Sequence, residues 1–213
     1  MLAYLSGAAL RAAPLFLCLL FLCPFFYAGV LCRRFMPKTT RAYIALGSNL
    51  GNRSAFLQAA VDALNEHDRI QVTHISSVYE SPAHILPGQS PLPDYLNAVI
   101  EFETNFSPTD LLDFCLSVET SQGRIRDNET RWAARTLDLD LLLFGSLTLD
   151  SNRLTLPHPR LDQRKFVLIP LAEIAPNLMV PAPFNQIVRY LLETCSDRSE
   201  VVISDNVLTM PGV

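Results

Sequence analysis

Lysine is scarce in this 213-residue chain, cysteine is scarce after residue 35, and long apolar runs are missing after the same point. With no second long apolar run, a polytopic membrane protein is excluded. There is no basic excess either. Seventeen basic residues face 21 acidic ones, a formal net charge of −4, which argues against a generic nucleic-acid binder. Of five cysteines only Cys115 and Cys195 lie beyond residue 35, with no C-x-x-C and no metal-like spacing to any histidine. That usage fits a reducing compartment and argues against a zinc site. The turn Gly47-Ser48-Asn49-Leu50-Gly51 lacks the Lys-Ser/Thr of a Walker A loop, and no glycine-rich kinase loop or catalytic His-Arg-Asp occurs. Internal repeats and low-complexity segments are absent too.

Two unlike parts are present. Residues 1–35 carry Arg11, Arg33 and Arg34, no acid, and 27 hydrophobic residues. The remaining 178 residues hold 14 basic and 21 acidic residues, a net charge of −7. Their hydrophobic share of roughly 43% suits a soluble globular domain. Ala12 to Cys32 is 21 residues without a charge, long enough to cross a bilayer, although Pro14 and Pro24 weaken a regular helix. Three readings of the segment stand. It is an over-extended reading frame, with Met36 the polar start of the working domain. It is a membrane anchor over 12–32, with Arg33, Arg34 and Lys38 outnumbering Arg11 and so placing the body in the cytoplasm. Or it is an export signal with a site near Ala28-Gly29, which the charges at Arg33 and Arg34 disfavour. The expected organisation is a hydrophobic segment over 1–35 and one catalytic domain over 36–213, with the body cytoplasmic in the first two readings.

Along the body, Arg41 to Ser48 reads as a strand ending in a turn, and Ser54 to Leu64 as a helix with Leu57, Ala60, Val61 and Leu64 on one face. Ile70 to Glu80 reads as a strand, and the proline-rich stretch from His84 to Asp94 as a loop. From Leu96 to Glu103, Leu96, Ala98, Ile100 and Phe102 alternate with Asn97, Val99, Glu101 and Glu103. Ser107 then caps a helix with Pro108 at its first position, running to about Gln122 and stopping at Gly123. A strand from Thr136 to Phe144 follows, then helices over Arg160 to Ala175, with Pro170 inside, and Phe184 to Thr194. Strands with two unlike faces favour an α+β sandwich with a largely antiparallel sheet over a doubly wound parallel one.

The chemistry concentrates in Arg135-Thr136-Leu137-Asp138-Leu139-Asp140-Leu141. On a strand, residues two apart share a face, so Asp138 and Asp140 point the same way about 7 Å apart while the leucines fill the other face. Side-by-side carboxylates repel, and divalent cations bridged by phosphates relieve that repulsion. A solvated edge strand is the bland alternative. The arginines weigh against it: Arg124, Arg126, Arg131, Arg135, Arg153, Arg160 and Arg164, with Lys165, gather 8 of the body's 14 basic residues into 42 positions. Arginine outnumbers lysine 15 to 2, and guanidinium forks bind phosphate bidentately. Tyr95 and Asn97 share a strand face and suit a flat heterocycle, one stacking and the other hydrogen-bonding; an edge-strand aromatic is the alternative. Glu119 falls on the apolar side of its helix and needs a partner, either a loop arginine or a ligand donor.

These residues carry a resemblance. YIALGSNLGNR (43–53), SSVYESPA (76–83), PDYLNAVIEFET (93–104), ETSQGRIR (119–126), RWAARTLDLDLLLFG (131–145) and RLTLPHPRLDQRKFVLIPLAEIAP (153–176) look like the 6-hydroxymethyl-7,8-dihydropterin pyrophosphokinases of folate biosynthesis, over about 41–180 in unbroken order. The resemblance implies a ferredoxin-like fold and transfer of the β,γ-pyrophosphoryl group of ATP to the pterin hydroxymethyl oxygen, releasing AMP. It implies that Asp138 and Asp140 hold two Mg²⁺ ions. Tyr95 and Phe166 would sandwich the pterin, with Asn97, Ser81, Pro82 and Ala83 reading its edge. Glu119, Arg124, Arg135, Arg153, Thr155, His158 and Arg164 match ATP-contacting positions, and Arg126 and Trp132 match a mobile catalytic loop whose closure excludes water. Arg126, Trp132, Arg135, Asp138 and Asp140 form the implied catalytic set.

The departures are modest. Ala83 stands for a usual second proline, Ala133-Ala134 for the commoner Gly-Pro, and the loop from Arg126 to Trp132 is one residue longer than usual. Expected partners are the small molecules ATP and pterin, with no nucleic acid, a membrane only if 12–32 is an anchor, and a monomeric chain. One rival is another nucleotide-dependent transferase, disfavoured because Gly47-Ser48 precedes the paired acids by about 90 residues. A second is a tethered binding protein without turnover, which would not need the full acid-plus-arginine set.

Overall fold

The computed structural model describes residues 39–83, 92–124 and 134–210, so the segment 1–35 and the loop residues Arg126, Arg131 and Trp132 lie outside the described residues. β1 (Thr40–Ser48) leads into α1 (Arg53–Glu66), where the Asn52 side chain accepts the Ala55 amide at 3.3 Å and caps the first turn. Leu57, Ala60, Val61 and Leu64 are buried, as their helical spacing predicts.

The strand expected over 70–80 is two strands, β2 (Ile70–Ile75) and β3 (Tyr79–Ser81), lying in succession along one edge of β4 (Tyr95–Thr104). At the break, Ser76 bonds Val99 twice: its amide donates to the Val99 carbonyl at 3.0 Å, and its Oγ accepts the Val99 amide at 2.9 Å. A serine hydroxyl thus takes the place of a ladder carbonyl, so the chain can bend without orphaning a buried N–H. α2 (Pro108–Ser121) begins with Ser107 Oγ accepting the Asp110 amide at 3.2 Å and ends before Gly123, whose φ of +77° is open to glycine. β5 (Asp138–Phe144) follows, starting two residues later than the leucine pattern suggested.

A small ribbon comes next, β6 (Leu149–Asp150) with β7 (Thr155–Leu156). The helix expected from Arg160 to Ala175 is interrupted. A single 3₁₀ turn (Leu161–Gln163) precedes α3 (Lys165–Ile174), with Arg164 extended at φ −123° and ψ 93°. β8 (Met179–Val180) pairs β9 (Gln186–Ile187), which leaves α4 (Val188–Thr194) shorter than its apolar pattern; β10 (Val202–Ile203) then joins β3.

Every ladder among the described residues is antiparallel, in the order β5-β1-β4 with β2 and β3 on the far edge of β4. The β1-α1-β2-β4-α2-β5 succession in that order is the ferredoxin-like arrangement. One sheet face packs Ile44, Leu46, Ile100 and Phe102 against Leu57, Leu64 and Leu111 of α1 and α2. The other packs Tyr43, Val99 and Leu142 against Leu168, Leu171, Val188 and Leu191 of α3 and α4. β4 is therefore buried on both sides. Glu101, on the face its alternation assigned to polar residues, is 4% exposed and accepts from Tyr43 Oη at 2.7 Å and Thr73 Oγ1 at 2.9 Å. Among the described residues no helix is long and apolar enough to cross a membrane.

Candidate active site

On the sheet face where Ala45 packs with α3, the strand residues Gly47, Tyr95, Asn97, Asp138 and Asp140 line a cleft of about 360 Å³, within the range of small-molecule sites. Strand register builds the floor. Tyr79, Asn97, Gly47 and Asp138 form one row across β3, β4, β1 and β5, while Ser81 lies opposite Tyr95 and Ala45 opposite Asp140. Gly47 is the gap in that row. A Cβ there would stand 3.6 Å from Asn97 Oδ1, 3.7 Å from Tyr95 Cδ1 and 3.8 Å from Asp138 Cβ, filling the space between the carboxamide and the acid. The wall comes from the start of α3, with Arg164 and Phe166, and from Ser81, Pro82 and Ala83. Asn97 Nδ2 donates to Ser81 Oγ at 2.9 Å, which fixes the carboxamide's orientation. Desolvation by burial raises the pKa of the Tyr95 phenol above its ordinary value, so the ring stays neutral.

The acid pair is held by guanidinium groups. Asp138 accepts from Arg135 Nη1 at 2.6 Å and from Arg124, and Asp140 accepts from Arg164 Nη1 at 2.8 Å. Arg124 also bonds Glu119, which is 1% exposed and accepts the Leu139 amide at 2.8 Å. The partner expected for Glu119 is thus a loop arginine together with a β5 amide. Burial would raise the Asp140 pKa, but the charges of Arg164, His158 and Arg135 outweigh it and hold the carboxyl below its usual range. Burial likewise opposes protonation of Arg135, and Asp138 overcomes it, raising the guanidinium's pKa. At His158 burial dominates and lowers the imidazole pKa; Asp140 offsets part of this.

Asn49 escaped the sequence reading. It is 1% exposed, its Oδ1 accepts the Arg135 amide at 2.7 Å, its amide donates to the Arg135 carbonyl at 3.1 Å, and its Nδ2 reaches the Pro93 carbonyl at 3.3 Å. One side chain after β1 therefore joins the approaches to β5 and β4. The available signal was its place at the end of an apolar strand in Gly47-Ser48-Asn49, a run tested only as a phosphate loop. Arg160, Asp197 and Ser199 line the cleft as well, and only Arg160 had been singled out, as one of the arginine cluster.

All six residues expected around the pterin line this cleft, with Arg135, Asp138, Asp140 and Arg164. Glu119 and Arg124 stand directly behind Asp138. His158 lies close enough to Asp140 to feel its charge, and its amide donates to the Leu142 carbonyl at 2.9 Å. Arg153 pairs instead with Asp113 on the surface, and Thr155 Oγ1 meets Asp150 at 3.3 Å, both outside the cleft lining. Arg126 and Trp132 lie outside the described residues.

A family model for 7,8-dihydro-6-hydroxymethylpterin-pyrophosphokinase matches residues 43–176. The chain belongs to that pyrophosphokinase family. A Pseudomonas aeruginosa 2-amino-4-hydroxy-6-hydroxymethyldihydropteridine pyrophosphokinase is 44% identical over 141 residues, covering 66% of this chain and 84% of that one. The Haemophilus influenzae protein of the same name is 40% identical over 163 residues, covering 76% and 98%. Among solved structures, a Plasmodium falciparum HPPK-DHPS variant has a TM-score of 0.56 at 13% identity over 73% of this chain and 43% of its own, a likeness of fold. The chain spans less than half the length of that solved protein. Within the pyrophosphokinase match fall all the candidate residues from Ser81 to Phe166, while Asp197 and Ser199 lie beyond it.

Proposed function

We propose that this chain transfers the β,γ-pyrophosphoryl group of ATP to the hydroxymethyl oxygen of 6-hydroxymethyl-7,8-dihydropterin, giving the pterin diphosphate and AMP, a step of folate biosynthesis. The observation that carries this reading is the single cleft that joins paired acids and arginines to a pocket of flat-ring chemistry. Tyr95 and Phe166 stack the pterin, and Asn97 with Ser81, Pro82 and Ala83 reads its edge. Arg135, Arg164 and Arg124 bind and orient the phosphates, so that the pterin oxygen forms its bond to the β-phosphorus as the bond to the AMP oxygen breaks. Positioning and charge neutralisation dominate such a transfer.

Two Mg²⁺ ions are proposed at Asp138 and Asp140. The donor set fits. No cluster of three or more metal-ligating side chains occurs among the described residues, and Mg²⁺ is commonly held by one or two carboxylates plus phosphate oxygens and water. Bound there, the ions would neutralise charge developing on the polyphosphate. Before any ligand binds, Arg164 pairs with Asp140 and Arg135 with Asp138, and these guanidinium groups would turn from carboxylate to phosphate once the nucleotide is bound. Glu119, Arg153, Thr155 and His158 serve the nucleotide, and Arg126 and Trp132 close over both substrates to exclude water. We take the chain as a monomer with its body in the cytoplasm, the side on which the charge bias flanking 12–32 would place it if that segment spans a membrane.

The test is the protein with Mg²⁺, ATP and 6-hydroxymethyl-7,8-dihydropterin, followed for nucleotide products. AMP in step with pterin diphosphate is expected. ADP instead, or no product, would defeat the proposal.

A further inference from the structure

α3 begins without a cap of its own: Arg164, at its N-cap position, makes no side-chain bond to the first turn. The acceptor comes from 32 residues away. Asp197 Oδ2 accepts the Lys165 amide at 3.0 Å, while Asp197 Oδ1 accepts the Ser199 amide at 2.8 Å and Lys165 Nζ reaches the Ser199 carbonyl at 3.3 Å. Lys165 lies between Arg164, which just precedes α3, and Phe166, and both of these line the cleft. Arg164 has its own anchor on Asp140 at 2.8 Å, whereas Phe166 is placed by the helix start.

The same segment then reaches the opposite wall. Val202 and Ile203 pair with Glu80, the neighbour of Ser81, and with Tyr79 of β3, and the Ser204 amide donates to the Val78 carbonyl at 2.8 Å. Farther on, the Thr209 amide bonds Gln58 Oε1 at 3.0 Å, and Leu208 and Met210 pack on the α1 side of the core. Residues 195–204 therefore touch both sides of the pocket that Phe166 and Ser81 define, although the family match ends at 176.

We infer that residues 195–204 are a strap fixing both walls of the pterin end of the cleft, and that Asp197 is its positioning residue, acting through the Lys165 amide on Phe166. The inference rests on the pterin reading of the site. A carboxylate that caps a helix start holds the first turn in place, and a misplacement of a stacking ring by a fraction of an ångström weakens binding of the flat substrate.

Steady-state kinetics on the full chain test this with Asp197→Ala, Asp197→Asn and Lys165→Pro. Proline is well accommodated at the first position of a helix and lacks the N–H that Asp197 accepts, so Lys165→Pro removes the bond while keeping the helix start. Asp197→Ala and Lys165→Pro should each raise KM for the pterin about threefold to tenfold, with kcat and KM for ATP within about twofold of the unaltered chain. Asp197→Asn, which keeps one of the two acceptor oxygens and so can still accept the Lys165 amide, should raise KM less than Asp197→Ala does. An unchanged pterin KM alongside a lower Tm makes Asp197 a structural cap only and overturns the inference. So does a KM rise in Asp197→Ala that Lys165→Pro does not share. Should Asp197→Ala fail to fold, Lys165→Pro carries the comparison. The unaltered chain is assayed in the same series: absence of AMP there counts against the pterin reading itself, whereas normal turnover with indifferent variants removes only the strap.

Discussion

Asn49 and Arg135, 86 residues apart in the chain, exchange two hydrogen bonds: the Arg135 amide donates to Asn49 Oδ1 at 2.7 Å, and the Asn49 amide donates to the Arg135 carbonyl at 3.1 Å. The guanidinium of the same arginine lies on Asp138 at 2.6 Å. Truncation by Asn49→Ala leaves the Arg135 N–H without its acceptor, a loss of about 1–3 kcal/mol. We expect urea unfolding to register that loss and kcat to fall about tenfold or more, since Arg135 is then free to shift. A variant with unaltered stability and turnover would show that the clamp is idle.

Asp138 and Asp140 are expected to matter for turnover more than for the pterin. Asp138→Ala or Asp140→Ala should lower kcat by about two to three orders of magnitude, as loss of a key electrostatic group does elsewhere, while pterin binding persists in part. Chelation of Mg²⁺ with EDTA should stop the unaltered enzyme, and added Mg²⁺ should restart it. Near-normal rates in either variant would refute the metal role.

Gly47 is assigned to the cleft floor by its neighbours, not by its backbone freedom. Gly47→Val places branched carbon between Asn97 and Asp138, where even a Cβ is already in van der Waals contact. Pterin affinity measured by equilibrium fluorescence should drop at least about tenfold with the fold intact by circular dichroism. Undiminished affinity would place the pterin elsewhere.

Glu101 gives a pH dependence whose sign can be worked out. Burial raises its pKa, but bonds from Tyr43, Thr73 and His74 and the charge of Arg41 outweigh it and leave the carboxyl below its ordinary value. The folded state therefore binds this proton less readily than the unfolded one. Its contribution is fully present above the unfolded carboxyl pKa and lost as pH falls through the folded value. Glu101→Gln should flatten the acid limb of stability against pH; an identical limb in both proteins would mean other carboxylates dominate it.

Much of the fold was legible because local periodicity and tertiary burial agree. Leu57, Ala60, Val61 and Leu64 announce α1, and Ser107, Pro108 and Gly123 delimit α2 by cap chemistry alone. The misread elements are those decided by distant partners. The strand over 70–80 breaks because Ser76 can bond Val99 on β4, and α3 begins at Lys165, where Asp197 accepts its amide. Neither partner is near in sequence, so no window of propensity contains the reason.

The sequence by itself determined the chemistry: two acids on one strand face, arginines on both flanks, an aromatic with a carboxamide, and the family pattern that unites them. Only the tertiary structure decided which of these groups meet. Antiparallel register sets Gly47 between Asn97 and Asp138, draws Arg124 and Glu119 behind the acids, and leaves Arg153 on the surface with Asp113. It also brought in Asn49 and Asp197, whose short polar side chains carry no periodic signature. The physical reason is that a residue's type fixes what bonds it can make, whereas its partners depend on strand pairing and chain closure over tens of residues.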